Sequence, residues 1–114
     1  MGAKFRNDLV ETSITNKTSQ RITCTIVYSG ACGGVGKERD ETIVETIDEN
    51  EGKLIVNKKT FMYGGKEITK TIIQITVSLE TPKKQMECTP LKQGYVFDVT
   101  ESQIVASQVK TLGC

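Results

Sequence analysis

The chain has 114 residues, a mass of 12.6 kDa and a net charge of +1, from 15 basic and 14 acidic side chains. This length predicts a single domain over residues 1–114 with a real core, and it is too short for two. The balanced charge excludes the strong electric field expected of a dedicated duplex-binding protein. Because histidine is absent, a Ser-His-Asp triad, a Cys-His pair and any His-ligated metal site are excluded as well.

The composition favours strands over helices. Valine, isoleucine and threonine together fill 36 of the 114 positions, whereas leucine and alanine fill 8. Side chains that branch at Cβ are stiff in a helix and pack well on a pleated surface. The chain is therefore predicted to be all-β.

Two segments near the start of the chain alternate apolar and polar residues with the period of a strand. They span residues 10–14 and 22–28, and the polar stretch 16–20 between them has the composition of a turn. We expect the two segments to form a hairpin. Cys24 shares the parity of the apolar residues in its segment, which predicts a buried free thiol.

A glycine-rich segment follows, with four glycines among residues 30–36. The stretch 31–38, Ala-Cys-Gly-Gly-Val-Gly-Lys-Glu, resembles the phosphate-binding P-loop, in particular the GGVGK form of partition-type ATPases. The resemblance implies that the backbone at Gly33 and Gly34 cradles phosphates and that Lys37 reaches the terminal one.

The chain departs from the P-loop pattern at Glu38. This residue replaces the hydroxyl that ligates Mg²⁺, and its charge repels phosphate. The residues that follow are strand-like, whereas a P-loop leads into a helix. We therefore expect a flexible connection between two strands, with a degenerate nucleotide-binding loop at 31–38 as an alternative.

The next predicted strands are short and are separated by turn residues. Residues 42–47 alternate, residues 48–52 form an acidic turn, and residues 53–56 form a further strand. The acidic turn lacks the glycine position and the final glutamate of an EF-hand loop, so no calcium is expected there. Residues 60–63 then run into two glycines, which predicts a two-residue hairpin tip.

The longest predicted strand spans residues 66–80. Its apolar residues change parity near Ile72 and Ile73, which predicts a β-bulge or a bend between sheets at that point. Together with the neighbouring strands, the alternation assigns five residues to the core. These are Ile26, Ile73, Ile75, Val77 and Phe97.

The end of the chain leaves two interpretations open. A strand is predicted over residues 95–99, after two prolines. Over residues 100–112, a capping-box pattern and an apolar stripe that ends at Gly113 favour a helix. The β-branched residues of the same segment favour a strand.

Seven or eight short strands with regular turn signals predict one antiparallel β-sandwich. A small β-barrel is one alternative, and a sandwich with one C-terminal helix at about residues 100–112 is another. The order of the strands does not follow from the pattern.

The hairpin tip 61–65 carries the side chains best suited to a contact. We expect Phe61 inside and Tyr63 partly outside, next to Gly64 and Gly65. A tyrosine offers a flat ring and a hydroxyl. This combination suits stacking on a sugar, sitting at a lipid headgroup boundary or anchoring a protein partner.

These observations predict a non-catalytic, lectin-like binding module that presents loops 29–40 and 61–65 to a carbohydrate, a membrane surface or another protein. The alternative is a self-assembling protein, a homo-oligomer in which an exposed edge strand at 66–80 pairs with a second copy. No metal is expected, because histidine is absent and the four cysteines show no C-x-x-C spacing. No catalytic residue or cofactor is expected either, because the sequence lacks the groups that catalysis needs. The predicted ligand-binding residues are Gly33, Gly34, Lys37, Tyr63, Gly64 and Gly65.

The chain contains no apolar run with the length of a signal peptide or a membrane span, which predicts a cytoplasmic location. If a leader had been removed, the sequence Asn16-Lys17-Thr18 would be an acceptor for glycosylation.

Overall fold

The computed structural model describes residues 8–29 and 40–109, and within these residues the chain forms ten strands. Short alternating segments interrupted by turn residues account for their lengths. In chain order the strands are β1 (Thr12–Asn16), β2 (Ile22–Ser29), β3 (Glu41–Ile47), β4 (Gly52–Val56), β5 (Thr60–Tyr63), β6 (Lys66–Thr69), β7 (Thr71–Glu80), β8 (Lys83–Glu87), β9 (Tyr95–Val99) and β10 (Ile104–Gln108).

Eight of the ten strands build two four-stranded sheets of a β-sandwich. The first sheet has the order β10-β9-β1-β4 and the second has the order β3-β2-β7-β8. The pairs within them are antiparallel except for β1 and β9, which run parallel. Strands β5 and β6 form a separate two-stranded ribbon. The predicted all-β sandwich is confirmed, and the described strands do not close into a barrel.

The hydrophobic core follows from the period of the strands. Along β2, buried and half-buried residues alternate without a break, because successive side chains point to opposite faces of a sheet. The predicted burial of the Cys24 thiol is confirmed, and so are four of the five predicted core residues. The core contains Leu9, Ile14, Ile22, Cys24, Ile26, Tyr28, Ile47, Val56, Ile72, Ile75, Val77, Leu79, Cys88, Phe97 and Val99.

The prediction for the fifth residue, Ile73, is wrong, because its side chain is 51% exposed. The cause is a register shift between β2 and β7. Val27 faces Gln74, whereas the next residue, Tyr28, faces Ile72. Ile73 is therefore the extra residue of a bulge and points outward. The predicted bulge is confirmed, and the bulge itself removes Ile73 from the core.

Strands β1 and β2 do not form the predicted hairpin. β1 pairs with β4 and β9 in the first sheet, whereas β2 pairs with β3 and β7 in the second. Both strands contribute to one core from opposite sheets, through residues such as Ile14 and Ile22. Alternation predicts which side chains point inward, but it does not distinguish a neighbouring strand from a facing one. The hairpin prediction fails for this reason.

The predicted edge strand at 66–80 is also corrected. The segment divides at Lys70 into β6 and β7, and β7 lies inside the second sheet between β2 and β8. Backbone pairing with β2 on one side and β8 on the other leaves β7 no free edge.

The helix considered for residues 100–112 is not formed in the described part of that segment. Thr100 and Gln103 instead close a turn, in which the Thr100 N–H donates to the Gln103 carbonyl at 2.9 Å. Strand β10 follows and pairs with β9. The gain from completing the sheet outweighs the local helix signals, because intrinsic propensities are small.

Asn16 ties the turn after β1 to the turn after β3. Its side chain is fully buried. The Nδ2 group donates to the carbonyls of Gln20, Ile47 and Asp48 at 2.7, 3.1 and 3.0 Å. The Oδ1 atom accepts from the N–H and the hydroxyl of Thr18. Because the amide is enclosed and its polar atoms are satisfied, the folded chain does not present Asn16 for glycosylation.

Among the described residues, no helix has the length and the apolar character that crossing a bilayer requires.

Candidate functional site

The β5–β6 ribbon carries three of the predicted site residues. Tyr63 lies directly opposite Lys66, and Gly64 and Gly65 form the turn that joins the two strands. Both glycines have positive φ angles, 60° and 79°. A type I′ hairpin turn requires this left-handed conformation, which glycine adopts without steric cost. The predicted hairpin tip is confirmed.

The tip of the ribbon exposes two large apolar side chains. Met62 is 62% exposed and Tyr63 is 50% exposed. Because neighbouring residues of a strand point to opposite sides, Met62 lies on one side of the ribbon and Tyr63 lies on the other. The ribbon pairs with neither sheet, so neither side chain is needed to cover the core.

Phe61 and Tyr63 lie on the same side of the ribbon, since they are two residues apart. Phe61 faces Ile68 across the ribbon, and both side chains are partly buried. The Lys70 Nζ atom lies 6.0 Å from the centre of the Phe61 ring. Tyr63 is half exposed as expected, whereas Phe61 is only partly buried and does not belong to the core. The difference between the two rings reflects distance along the ribbon, with Tyr63 next to the turn.

A charged cluster joins the root of the ribbon to the second sheet. Lys70, which is buried, places Nζ 3.0 Å from Oε1 of Glu41, and Lys59 places Nζ 3.4 Å from Oε2. The Lys70 N–H also donates to the Lys59 carbonyl at 2.8 Å. One carboxylate at the start of β3 thus holds the residues on both sides of the ribbon. This contact helps to position the ribbon, because the ribbon pairs with neither sheet.

The charges and the burial of this cluster shift the pKa values of Glu41 and Tyr28 in opposite directions. The hydrogen bond from Lys70 is the main cause that lowers the pKa of Glu41, and Lys59 adds to it although desolvation opposes both. Burial, followed by the charge of Glu41, raises the pKa of Tyr28. The Tyr28 hydroxyl donates to the Asn57 carbonyl at 2.8 Å. Both shifts stabilise an ionised carboxylate beside a neutral phenol.

The two ends of loop 29–40 lie at the same cluster. β2 ends at Ser29 and β3 begins at Glu41, and Tyr28 pairs directly with Glu41. The structure therefore brings the attachment points of this loop close to the root of the ribbon. Three of the predicted site residues, Gly33, Gly34 and Lys37, lie outside the described residues.

A small cleft opens between the edge strands β3 and β4. Its floor is apolar, its rim carries Glu45, Asn57 and Lys59, and its volume is about 90 Å³. Small-molecule sites occupy roughly 300–1,000 Å³, so the cleft admits only a short apolar group. Sequence reasoning missed it. One signal for the edge that borders this cleft is present in the sequence. Glu45 shares the inward parity of Ile43 and Ile47, and an inward-facing charge is typical of an edge strand.

The described residues offer little for covalent or metal chemistry. They contain no group of three or more His, Cys, Asp or Glu residues arranged to hold a metal ion. Cys24 and Cys88 are free and buried, and burial raises the pKa of each thiol to about 12. A thiol attacks as its thiolate, so neither cysteine acts as a nucleophile near neutral pH.

Comparisons of the chain with protein-family models, with curated proteins and with solved structures gave no significant match.

Proposed function

We propose that this protein is a non-catalytic binding module that contacts an anionic lipid surface through the β5–β6 ribbon. The observation that carries the proposal is the exposure of Met62 and Tyr63 on opposite sides of the ribbon tip. A tip that is apolar on both sides suits insertion into a medium that surrounds it. A sugar ring or another flat ligand would instead need one continuous face.

The side chains around the tip favour binding in the headgroup region of a membrane. Tyrosine prefers the boundary between lipid and water, because its ring is apolar and its hydroxyl is polar. Lys66 lies directly opposite Tyr63, and Lys58 is exposed as well, whereas Lys59 and Lys70 are paired with Glu41 at the root of the ribbon. This local excess of positive charge attracts anionic headgroups. A lysine stem can also lie along apolar surface while its ammonium group stays in water.

The expected binding is weak and reversible. Burying a side chain the size of methionine contributes about 1.5–3 kcal/mol, and each lysine near the surface contributes about 1 kcal/mol. Loop 29–40, whose ends lie at the root of the ribbon, is proposed as a second contact element of the same surface.

The proposal includes a cytoplasmic location. Cys24 and Cys88 are free thiols, which is usual for proteins of reducing compartments. The inner leaflet that faces the cytoplasm is also the leaflet rich in anionic lipid.

Flotation with lipid vesicles tests the proposal. The full chain is expected to float with vesicles of phosphatidylcholine and phosphatidylserine and not with vesicles of phosphatidylcholine alone, and added salt should weaken the binding. Tyr63→Ser and Met62→Ser should each lower the partition coefficient by about 5–30-fold, equivalent to about 1–2 kcal/mol. The thermal midpoint should stay nearly unchanged, because both side chains are exposed.

Val44→Ser is the matched control. Val44 lies on β3 and is 61% exposed, so the change removes a comparable apolar surface from another part of the protein. The control should float like the unaltered chain. Absence of flotation, or an equal loss in the control and the tip variants, would overturn the proposal. Binding to a glycan array that Tyr63→Ser abolishes, without flotation, would replace the lipid by a carbohydrate.

A further inference from the structure

The two sheets present four edge strands, and one of them differs from the others in charge. The edge strands β3, β4 and β8 carry charged residues: two glutamates on β3, one lysine on β4, and two lysines and one glutamate on β8. Charges on an edge oppose pairing with a further strand. The remaining edge strand, β10, has the sequence Ile-Val-Ala-Ser-Gln and no charge. Among the edges of the two four-stranded sheets it alone lacks this protection.

The backbone groups at the free edge of β10 follow from its pairing with β9. The Gln103 carbonyl accepts from the Thr100 N–H, and the Val109 N–H donates to the Gly94 carbonyl. In an antiparallel pair such hydrogen-bonded positions recur at every second residue, so residues 103, 105, 107 and 109 bond to the β9 side. The N–H and carbonyl groups of the intervening β10 residues therefore point to the free edge. These residues are Ile104, Ala106 and Gln108.

We propose that β10 pairs antiparallel with β10 of a second copy of this chain, around a twofold axis at Ala106. The three residues with free backbone groups lie symmetrically about this position. Ala106 then faces the partner's Ala106, and Ile104 faces the partner's Gln108. About six main-chain hydrogen bonds form in this register. The first sheets of the two copies become one continuous sheet with closed symmetry.

The exposed side chains of this edge fit the same register. Val105 and Val109 point to the outer face of the sheet and are 40% and 52% exposed. Across the axis Val105 faces the partner's Ser107, and the partner's Val105 and the partner's Val109 lie on the diagonals, about 7–8 Å away. The pair thereby gathers the exposed valines of both copies on one face of the continuous sheet. The edge is complementary to itself and has no charge to match, which favours a second copy over an unrelated strand.

Sedimentation velocity of the full chain without lipid tests this proposal. The apparent mass should rise with concentration from 12.6 kDa toward twice that value, with a dissociation constant in the micromolar to millimolar range of small interfaces. Ala106→Pro removes the N–H at the free edge and no hydrogen bond to β9. Val105→Lys brings like charges together near the axis. Each change should weaken the association at least about tenfold.

The matched control is Val44→Lys, which introduces the same charge at an exposed valine of β3 and should leave the association unchanged. Far-UV circular dichroism checks folding, and if Ala106→Pro does not fold, Val105→Lys decides alone because its position is exposed. A constant mass of one chain at all concentrations would overturn the proposal. A dimer that Val105→Lys leaves intact would also overturn it. The measurement contains no vesicles, so its outcome is independent of the lipid proposal.

Discussion

At the scale of single residues, the face of the sheet to which a side chain points decides whether it is buried, and β7 is a clear example. Ile72 and Ile75 are buried, whereas Ile73 between them is half exposed. The three side chains have the same chemistry and lie within four residues. Only the bulge opposite Val27 and Tyr28 separates them, because the extra residue of a bulge leaves the regular alternation.

This contrast predicts different costs for the same truncation. Ile75→Ala should lower the free energy of unfolding by about 2–5 kcal/mol, because it opens a cavity in a packed core. Ile73→Ala should lower it by less than about 1 kcal/mol, because its side chain is largely in water. Urea denaturation of both variants measures the difference. Equal losses would contradict the position assigned to the bulge.

At the scale of elements, the ribbon depends on ionic contacts and not on a sheet. β5 and β6 pair only with each other, and Glu41 joins Lys59 and Lys70 on the two sides of the ribbon. The contact with Lys70 is the stronger, because that lysine is buried and its Nζ is closer to the carboxylate. The Glu41 carboxylate is therefore one of the contacts that join the root of the ribbon to the second sheet.

Removal of the Lys70 charge should be visible in the titration of Glu41. The folded chain lowers the pKa of Glu41, so the ion pairs stabilise the fold above the ordinary pKa of the carboxyl, and this stabilisation is lost as the pH falls through the folded value. Lys70→Met keeps the apolar stem and removes the charge. The pKa of Glu41, followed by NMR, should move upward in this variant.

Lys84→Met is the control for this titration. The Lys84 Nζ donates to the Glu101 carbonyl at 3.0 Å and belongs to a different strand, so its loss should leave the pKa of Glu41 unchanged. An unchanged pKa of Glu41 in Lys70→Met would show that the buried lysine does not control the carboxylate.

At the scale of the whole molecule, one apolar core between two sheets holds two protonated thiols. Cys24 lies on β2, and Cys88 follows β8 at the far edge of the same sheet. Burial is the main cause that raises the pKa of each. Unfolding would return both thiols to water, where they ionise at lower pH. The stability of the sandwich is thereby linked to pH in the alkaline range.

The sign of this linkage predicts a loss of stability in alkali. Burial raises the pKa of each thiol from its ordinary value of 9.0 to about 12 in the fold. The contribution of the thiols is therefore complete below pH 9 and is lost as the pH rises toward 12. The expected loss is at most about 1.4 kcal/mol per pH unit for each thiol. Urea unfolding at a series of pH values measures it.

Lysines and tyrosines ionise in the same range, so the comparison is made with Cys24→Ala and Cys88→Ala. Each variant should show a shallower decline between pH 9 and 12 than the unaltered chain, whatever its stability at neutral pH. Identical slopes in all three proteins would show that the thiols do not contribute.

The sequence by itself determined the local features of this protein. The β-branched composition and the period of two predicted an all-β chain, most of its strands and the inward residues Ile26, Ile75, Val77 and Phe97. Two successive glycines predicted the hairpin tip beside Tyr63, since few other residues adopt positive φ at both positions. Each of these features depends on residues close together in the chain, so each leaves a readable local pattern.

The tertiary structure alone decided which strands are neighbours. β2 and β7 lie side by side although the chain between them visits the other sheet and the ribbon, and β1 pairs in parallel with the distant β9. The same distant pairings place β10 at an open edge and bring Glu41 to Lys70. The alternation of apolar and polar residues indicates which side chains point inward, and this is a property of a single strand. Lateral pairing depends on the contacts between residues far apart in the sequence, and no local pattern encodes it.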